Sequence, residues 1–209
     1  MDNSSAVPRA DLTRFQTLSG RPPPREARLR ALVPAVTPAA GEPVRMRDGR
    51  TLWLRAIRPD DVDALRRGFA DLTPEEVRMR FLHPLTDLPA HMARQFCEID
   101  PDHAVAIVLL EGAETLEPTI RAVARAYVDP ATLAAEFALI VQHAYAGQGL
   151  GTLLMRRLIE SVRRLDAVEI WGDVFNDNGA MLRLCEHLGF EHHLAPHDPG
   201  ITRVSLKLA

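Results

Sequence analysis

With 46% hydrophobic residues in a chain of 209, there is apolar surface enough to close a full core without staples, and the two cysteines, Cys97 and Cys185, form neither a disulfide framework nor a metal-ligand spacing. No run approaches the roughly 18 apolar residues of a membrane span, and no apolar signal stretch opens the chain, so a cytoplasmic protein without a membrane partner is expected. The net charge of −3 is uneven: residues 1–45 carry seven Arg against four acids, and 46–209 carry 18 basic against 24 acidic groups, which argues against nucleic acid as a partner.

The first 45 residues also hold seven prolines, including Pro22, Pro23 and Pro24, and read as an extended arm (1–45) ahead of one domain (46–209). From residue 51, "TLWLRAIR" predicts a strand and "RPDDVDALRRGFADL" a helix behind Asp60 and Asp61. "TPEEVRMRFL" opens with Thr73 and has Glu76 three residues on, a capping box, and "LPAHMARQFCEID" adds a short helix. "HAVAIVLLEG", "TIRAVARAYV" and "EFALIVQHA" then suit an antiparallel meander. After a helix over 149–165 come a strand "AVEIWGDVF", a helix "NGAMLRLCEHLGF" stopped by Gly189, and a last strand "ITRVSLKL", with a short extra strand at 191–193. The order is β-α-α-β-β-β-α-β-α-β, an α/β fold with a mixed sheet and helices on both faces.

The stretch "QHAYAGQGLGTLLMRRLIESVRRL" places Gly147, Gly149 and Gly151 where the long helix begins. A helix N-terminus carries unpaired N–H groups and about half a positive charge, and removing Cβ atoms lets those amides converge on a phosphate. There is no Gly-Lys-Ser/Thr of a P-loop, and Gly-x-Gly-x-Gly is not the dinucleotide fingerprint.

On these residues the chain resembles the GNAT family of N-acetyltransferases, whose Arg/Gln-x-x-Gly-x-Gly/Ala signature reads here Ala146-Gly147-Gln148-Gly149-Leu150-Gly151. The family's downstream Asn and terminal Gly-Phe are matched by Asn178 and Gly189-Phe190. The resemblance covers residues 51–209 and implies a mainly antiparallel twisted sheet of about six to seven strands. It also implies acetyl-CoA as co-substrate, with its pyrophosphate on the Gly147, Gln148, Gly149, Gly151 and Thr152 cradle and with Asn178 among the cofactor-binding residues. "LRAIRPDDVDALRRGFADLTPEEVRMRFLHPL" and "AEFALIVQHAYAGQGLG" are similar to bacterial protein lysine acetyltransferases that modify acyl-CoA synthetases. That implies a protein lysine acceptor and assigns the catalytic base to Glu136. Two positions depart from the pattern: Ala146 stands where the family has Arg or Gln, and Cys185 where many members carry a Tyr that protonates the leaving thiolate.

The chemistry asks for a base because a free lysine of pKa about 10.4 is neutral only about once in 2,500 molecules at pH 7. Glu136, between Ala135 and Phe137 at the start of its strand, sits where burial could raise a carboxylate, and water could carry the proton. Backbone N–H groups from Leu139 to Val141 could meet the thioester and pantetheine if the following strand splays away. His187, His192, His193 and His197 straddle a helix end, a strand and a loop, so no metal is expected. The alternatives left open are a small-molecule amine as acceptor and a non-catalytic acyl-CoA-binding sensor. Homodimerisation is open too.

Overall fold

The computed structural model describes residues 41–82, 85–195 and 198–208; the arm up to residue 40 and His197 lie outside them. Among the described residues eight strands form a single sheet: β1 (Glu42–Arg45), β2 (Thr51–Ala56), β3 (Ala104–Glu111), β4 (Thr119–Val128), β5 (Ala134–Val141), β6 (Glu169–Phe175), β7 (Glu191–Leu194) and β8 (Ile201–Lys207). Their spatial order is β1-β2-β3-β4-β5-β6-β8-β7, antiparallel throughout except for β5 with β6. The expected six to seven strands thus become eight. Strand β1 begins at Glu42, inside the stretch read as arm, and pairs along its length with β2. Ahead of β3 stand three separate helices instead of two in series: α1 (Val62–Ala70), α2 (Pro74–Phe81) and α3 (Ala90–Cys97). Two more, α4 (Leu150–Arg163) and α5 (Gly179–His187), follow β5 and β6.

The alternation of β3 explains the layering. Ile107 and Leu109 join one core cluster with Leu154, Met155, Leu158 and Val162 of α4, whereas Ala106, Val108 and Leu110 join another with Ala64 of α1 and Cys97 of α3. A strand buried on both faces must be apolar at nearly every position, and its inner five residues are all buried. Helices therefore cover the sheet on both sides. The Thr73 capping box forms as the spacing predicts: Thr73 accepts from the Glu76 N–H, and Glu76 reaches back to the Thr73 N–H at 2.8 Å. Helix α5 ends with Gly189 at φ +85° and a Phe190 N–H bond to the Cys185 carbonyl, the expected glycine stop.

Helix α1 crosses β4 so closely that a Cβ on Gly68 would lie 2.0 Å from the Ile120 carbonyl oxygen. The Gly68 carbonyl is also held by the buried Gln142 side chain at 2.8 Å. Alanine in a helix interior gains about 1 kcal/mol over glycine, but here the neighbour is backbone and cannot swing aside. Gly68→Ala should therefore lose stability by about 1–3 kcal/mol, the range of overpacking, read as a lower denaturant midpoint with an unchanged slope.

Candidate active site

Strands β5 and β6 pair in register only at Ala134 with Glu169, Ala135 with Ile170 and Glu136 with Trp171. Beyond Glu136 they part, opening a wedge. Which backbone groups face it follows from parity. The Ala134 carbonyl accepts from Asp129 and the Gln142 N–H donates to Arg121, so the even residues of β5 turn their backbone toward the β4 side. The Leu133 carbonyl accepts from Val168, so the odd residues turn toward β6. Leu139 and Val141 consequently aim their N–H and C=O groups into the wedge, where β6 no longer meets them.

The wedge opens into a cleft of about 500 Å³. Leu139 and Val141 line it, as do Gly147, Gly149, Gly151, Thr152 and Asn178. Gly147 has φ +71° and Gly149 φ +82°, the left-handed conformations that favour glycine, and a Cβ on either would meet nothing within 4 Å. Both positions face open space. Gly151 is glycine for another reason: it is helical, and a Cβ there would come within 3.2 Å of Leu184 and 3.8 Å of Leu139. Its role is close packing of α4 on α5 and β5, not positive φ. Gly149 is the N-cap of α4, whose first internal bond runs from the Leu153 N–H to the Gly149 carbonyl, so the amides of Leu150, Gly151 and Thr152 have no acceptor inside the helix.

Two sequence candidates sit differently. The side chain of Gln148 turns away and accepts from the Arg47 N–H at 3.2 Å, clipping the β1–β2 turn to the glycine loop. Asn178 commits its Oδ1 to the Met181 N–H as the N-cap of α5. Glu136 lies at the apex of the wedge, half-buried, on the sheet face opposite Ala135, Phe137 and Leu139, which are core residues under α4. Across from it α2 brings Arg80, whose pKa burial pushes down, helped by the like charge of Arg125 and opposed by Glu136.

Helix α2 spans the wedge, a bridge that local sequence does not announce. Glu76, already the capping residue, accepts from the His143 N–H at 2.6 Å just after β5. Burial alone would raise its pKa; the hydrogen bonds from Thr73 and His143 outweigh that and hold it below the usual carboxylate range. Arg78 reaches the other side, bonding Asp177 at 2.7 Å and lying 4.4 Å over the Phe175 ring. His143 is thus tied by its backbone to α2. Tyr145, which the sequence did not single out, is buried beside the cleft with Arg50 over its ring at 4.5 Å. Cys185 is fully buried in the core, and burial pushes its pKa up to about 12. It is not among the cleft residues. Among the described residues no three His, Cys, Asp or Glu gather closely enough to hold a metal, and no helix is long and apolar enough to cross a membrane.

A side-chain-free turn at a helix N-terminus thus runs on into an unpaired strand edge that ends at a carboxylate. The profile of the acetyltransferase (GNAT) family matches residues 69–190. An acetyltransferase of Pseudomonas aeruginosa is 30% identical over 164 residues, 78% of this chain and 86% of the relative. Acetyltransferase Pat of Mycolicibacterium smegmatis is 32% identical over 148 residues, 70% of this chain but 43% of the relative. The crystal structure of the GNAT domain of S. lividans PAT superposes with a TM-score of 0.71 at 23% identity, covering 80% of this chain and 96% of that domain. The chain belongs to the GNAT family of acetyltransferases, which use acetyl-CoA.

Proposed function

We propose that this acetyltransferase moves the acetyl group of acetyl-CoA onto a protein lysine by direct attack in a ternary complex, with Glu136 as the base acting through water. The observation that carries this reading is the wedge: its unpaired amides at Leu139 and Val141 lead from the glycine turn straight to Glu136. Five residues of strand span about 17 Å, enough to lay an extended amide chain along β5 with its phosphates at the α4 N-terminus and its thioester near the apex. The amides at that edge would then stabilise the oxygen that gains charge as the amine attacks.

An open approach to Glu136 favours a protein acceptor over a small amine. Register places Tyr127, Glu136, Trp171 and Ser205 in one row across β4, β5, β6 and β8, so these side chains share a face. Next to that row Arg203 stacks 4.2 Å over Trp171 and grips Asp173 through two 2.8 Å bonds, forming a braced, half-exposed shelf. A lysine carried on another protein could rest its surface there while its amine enters the apex. The resemblance to protein lysine acetyltransferases points to the same acceptor. No thiol acid is available at Cys185, so CoA leaves as a thiolate or takes its proton from water.

The deciding measurement is CoA release with candidate protein substrates, acyl-CoA synthetases among them, set beside polyamines and aminoglycosides. Turnover with the proteins and mass-spectrometric acetyl-lysine supports the proposal. Turnover with small amines alone moves the acceptor class, and binding of acetyl-CoA without turnover on any amine replaces the enzyme reading with a sensor.

A further inference from the structure

The structure assigns Arg47, on the turn between β1 and β2, to the diphosphate of CoA, as the cation that Ala146 does not supply. The inference rests on the acetyl-CoA reading above.

The charge count sets the problem. A diphosphate linking two groups carries two negative charges, and a helix N-terminus offers about half a positive one. The family's motif adds a long polar or cationic side chain at the position that is Ala146 here, and alanine adds nothing.

The β1–β2 turn brings a replacement to the same place. Residues 46–49 form a tight turn with the Gly49 N–H bonded to the Met46 carbonyl and Gly49 at φ +88°. The turn is fastened to the glycine loop: the Arg47 N–H donates to Gln148 Oε1 at 3.2 Å, and Arg50 stacks on Tyr145 while reaching the Ala144 carbonyl at 3.5 Å. Arg47 itself lines the cleft beside Ala146, Gly147 and Gly149.

The charges around it single it out. Asp48 and Arg50 neutralise each other at 2.7 Å. Arg121, close behind Tyr145, is taken up by Glu111 and Asp71. Glu76 and Glu75, the acids of the cleft wall, are engaged by His143 and by Arg78. Arg80, the other cation lining the cleft, is on α2 beside Glu136, at the acceptor end. Among the described residues no carboxylate pairs with Arg47, which is exposed and carries the uncompensated charge at the phosphate end. An arginine fork matches two phosphate oxygens at once, so a short, clipped turn is a suitable mount for it. The clip uses the Arg47 backbone, so changing the side chain leaves the turn in place.

The test measures dissociation constants of CoA and 3′-dephospho-CoA by calorimetry for the full chain, Arg47→Ala, Arg47→Lys, and Arg47→Ala combined with Ala146→Arg. The expected result is about a tenfold weakening for Arg47→Ala, the size of one charge-assisted hydrogen bond, and the same factor for both ligands. Partial recovery is expected in Arg47→Lys and in the double variant, with melting temperatures unchanged. Wild-type binding together with an unaltered constant in Arg47→Ala overturns the proposal alone. A loss that vanishes with dephospho-CoA also overturns it, by moving Arg47 to the 3′-phosphate. A wild-type chain that binds neither ligand removes the CoA reading itself.

Discussion

Gly149→Asp should yield a folded protein that no longer binds CoA, with affinity reduced more than about a hundredfold. Two effects combine. Gly149 is at φ +82°, a strained conformation for any side chain that aspartate tolerates better than most, and its missing Cβ faces open space, so the change costs backbone strain but meets no clash. The new carboxylate would sit at the N-cap of α4, close to the first-turn amides, where a negative charge is attracted. Those amides are the ones proposed to hold the diphosphate, so the helix would satisfy itself and repel the ligand's charge at once. Losing one or two charge-assisted bonds at about 1.5–3 kcal/mol each already reaches a hundredfold at about 1.4 kcal/mol per decade. The fold should survive with a loss of about 1–2 kcal/mol for the left-handed backbone, and binding should be gone. Gly151→Asp would not separate them as cleanly, since its side chain would first have to displace Leu184. Thermal unfolding beside CoA calorimetry checks the pair, and a Gly149→Asp variant with wild-type affinity would show that the amides beyond it do not hold the phosphates.

Features written in local sequence were legible before any coordinates. Runs rich in Val, Ile and Ala marked β3 to β5, strand-like composition marked β2 and β6, alternation marked β8, the Thr73 and Glu76 spacing marked the start of α2, and the glycines of the loop marked the turn into α4. Strand β1 was hidden because four mostly exposed residues with a proline among them carry no alternation, and only pairing with β2 makes them a strand. The harder omissions are all products of topology. Arg47 meets Gln148 across 101 residues of sequence, and Glu76 meets His143 across 67. Glu76 had a complete local explanation as a helix cap, which is why its second bond across the wedge left no trace in the spacing. Gly151 shows the converse. Its presence in the glycine run suggested backbone freedom, whereas its surroundings require only the absence of a side chain.

Glu136→Gln should lower turnover by about 10²–10⁴, the usual worth of a positioned general base, while acetyl-CoA affinity stays nearly unchanged. Binding and chemistry separate because they use different parts of β5. The CoA chain would lie along the odd-numbered backbone groups past Glu136, whereas the carboxylate projects from the other face of the strand, toward Arg80 and the shelf at Trp171. Glutamine preserves size and a carbonyl acceptor, so the acceptor's approach survives and only proton removal fails. Below its pKa near 10.4 a solvent-exposed lysine gains about tenfold in neutral fraction with each unit that the pH rises. If amine deprotonation limits the variant, its rate should therefore climb tenfold per unit from pH 7 toward 9. The wild type should climb less steeply, because its base already removes the proton. The profile also separates a base from a residue that only shapes the pocket, whose loss would lower the rate by one factor at every pH. Steady-state turnover at saturating acetyl-CoA and acceptor, measured across that range with acetyl-CoA affinity determined in parallel, decides it. Wild-type turnover at pH 7 in Glu136→Gln would eliminate Glu136 as the base.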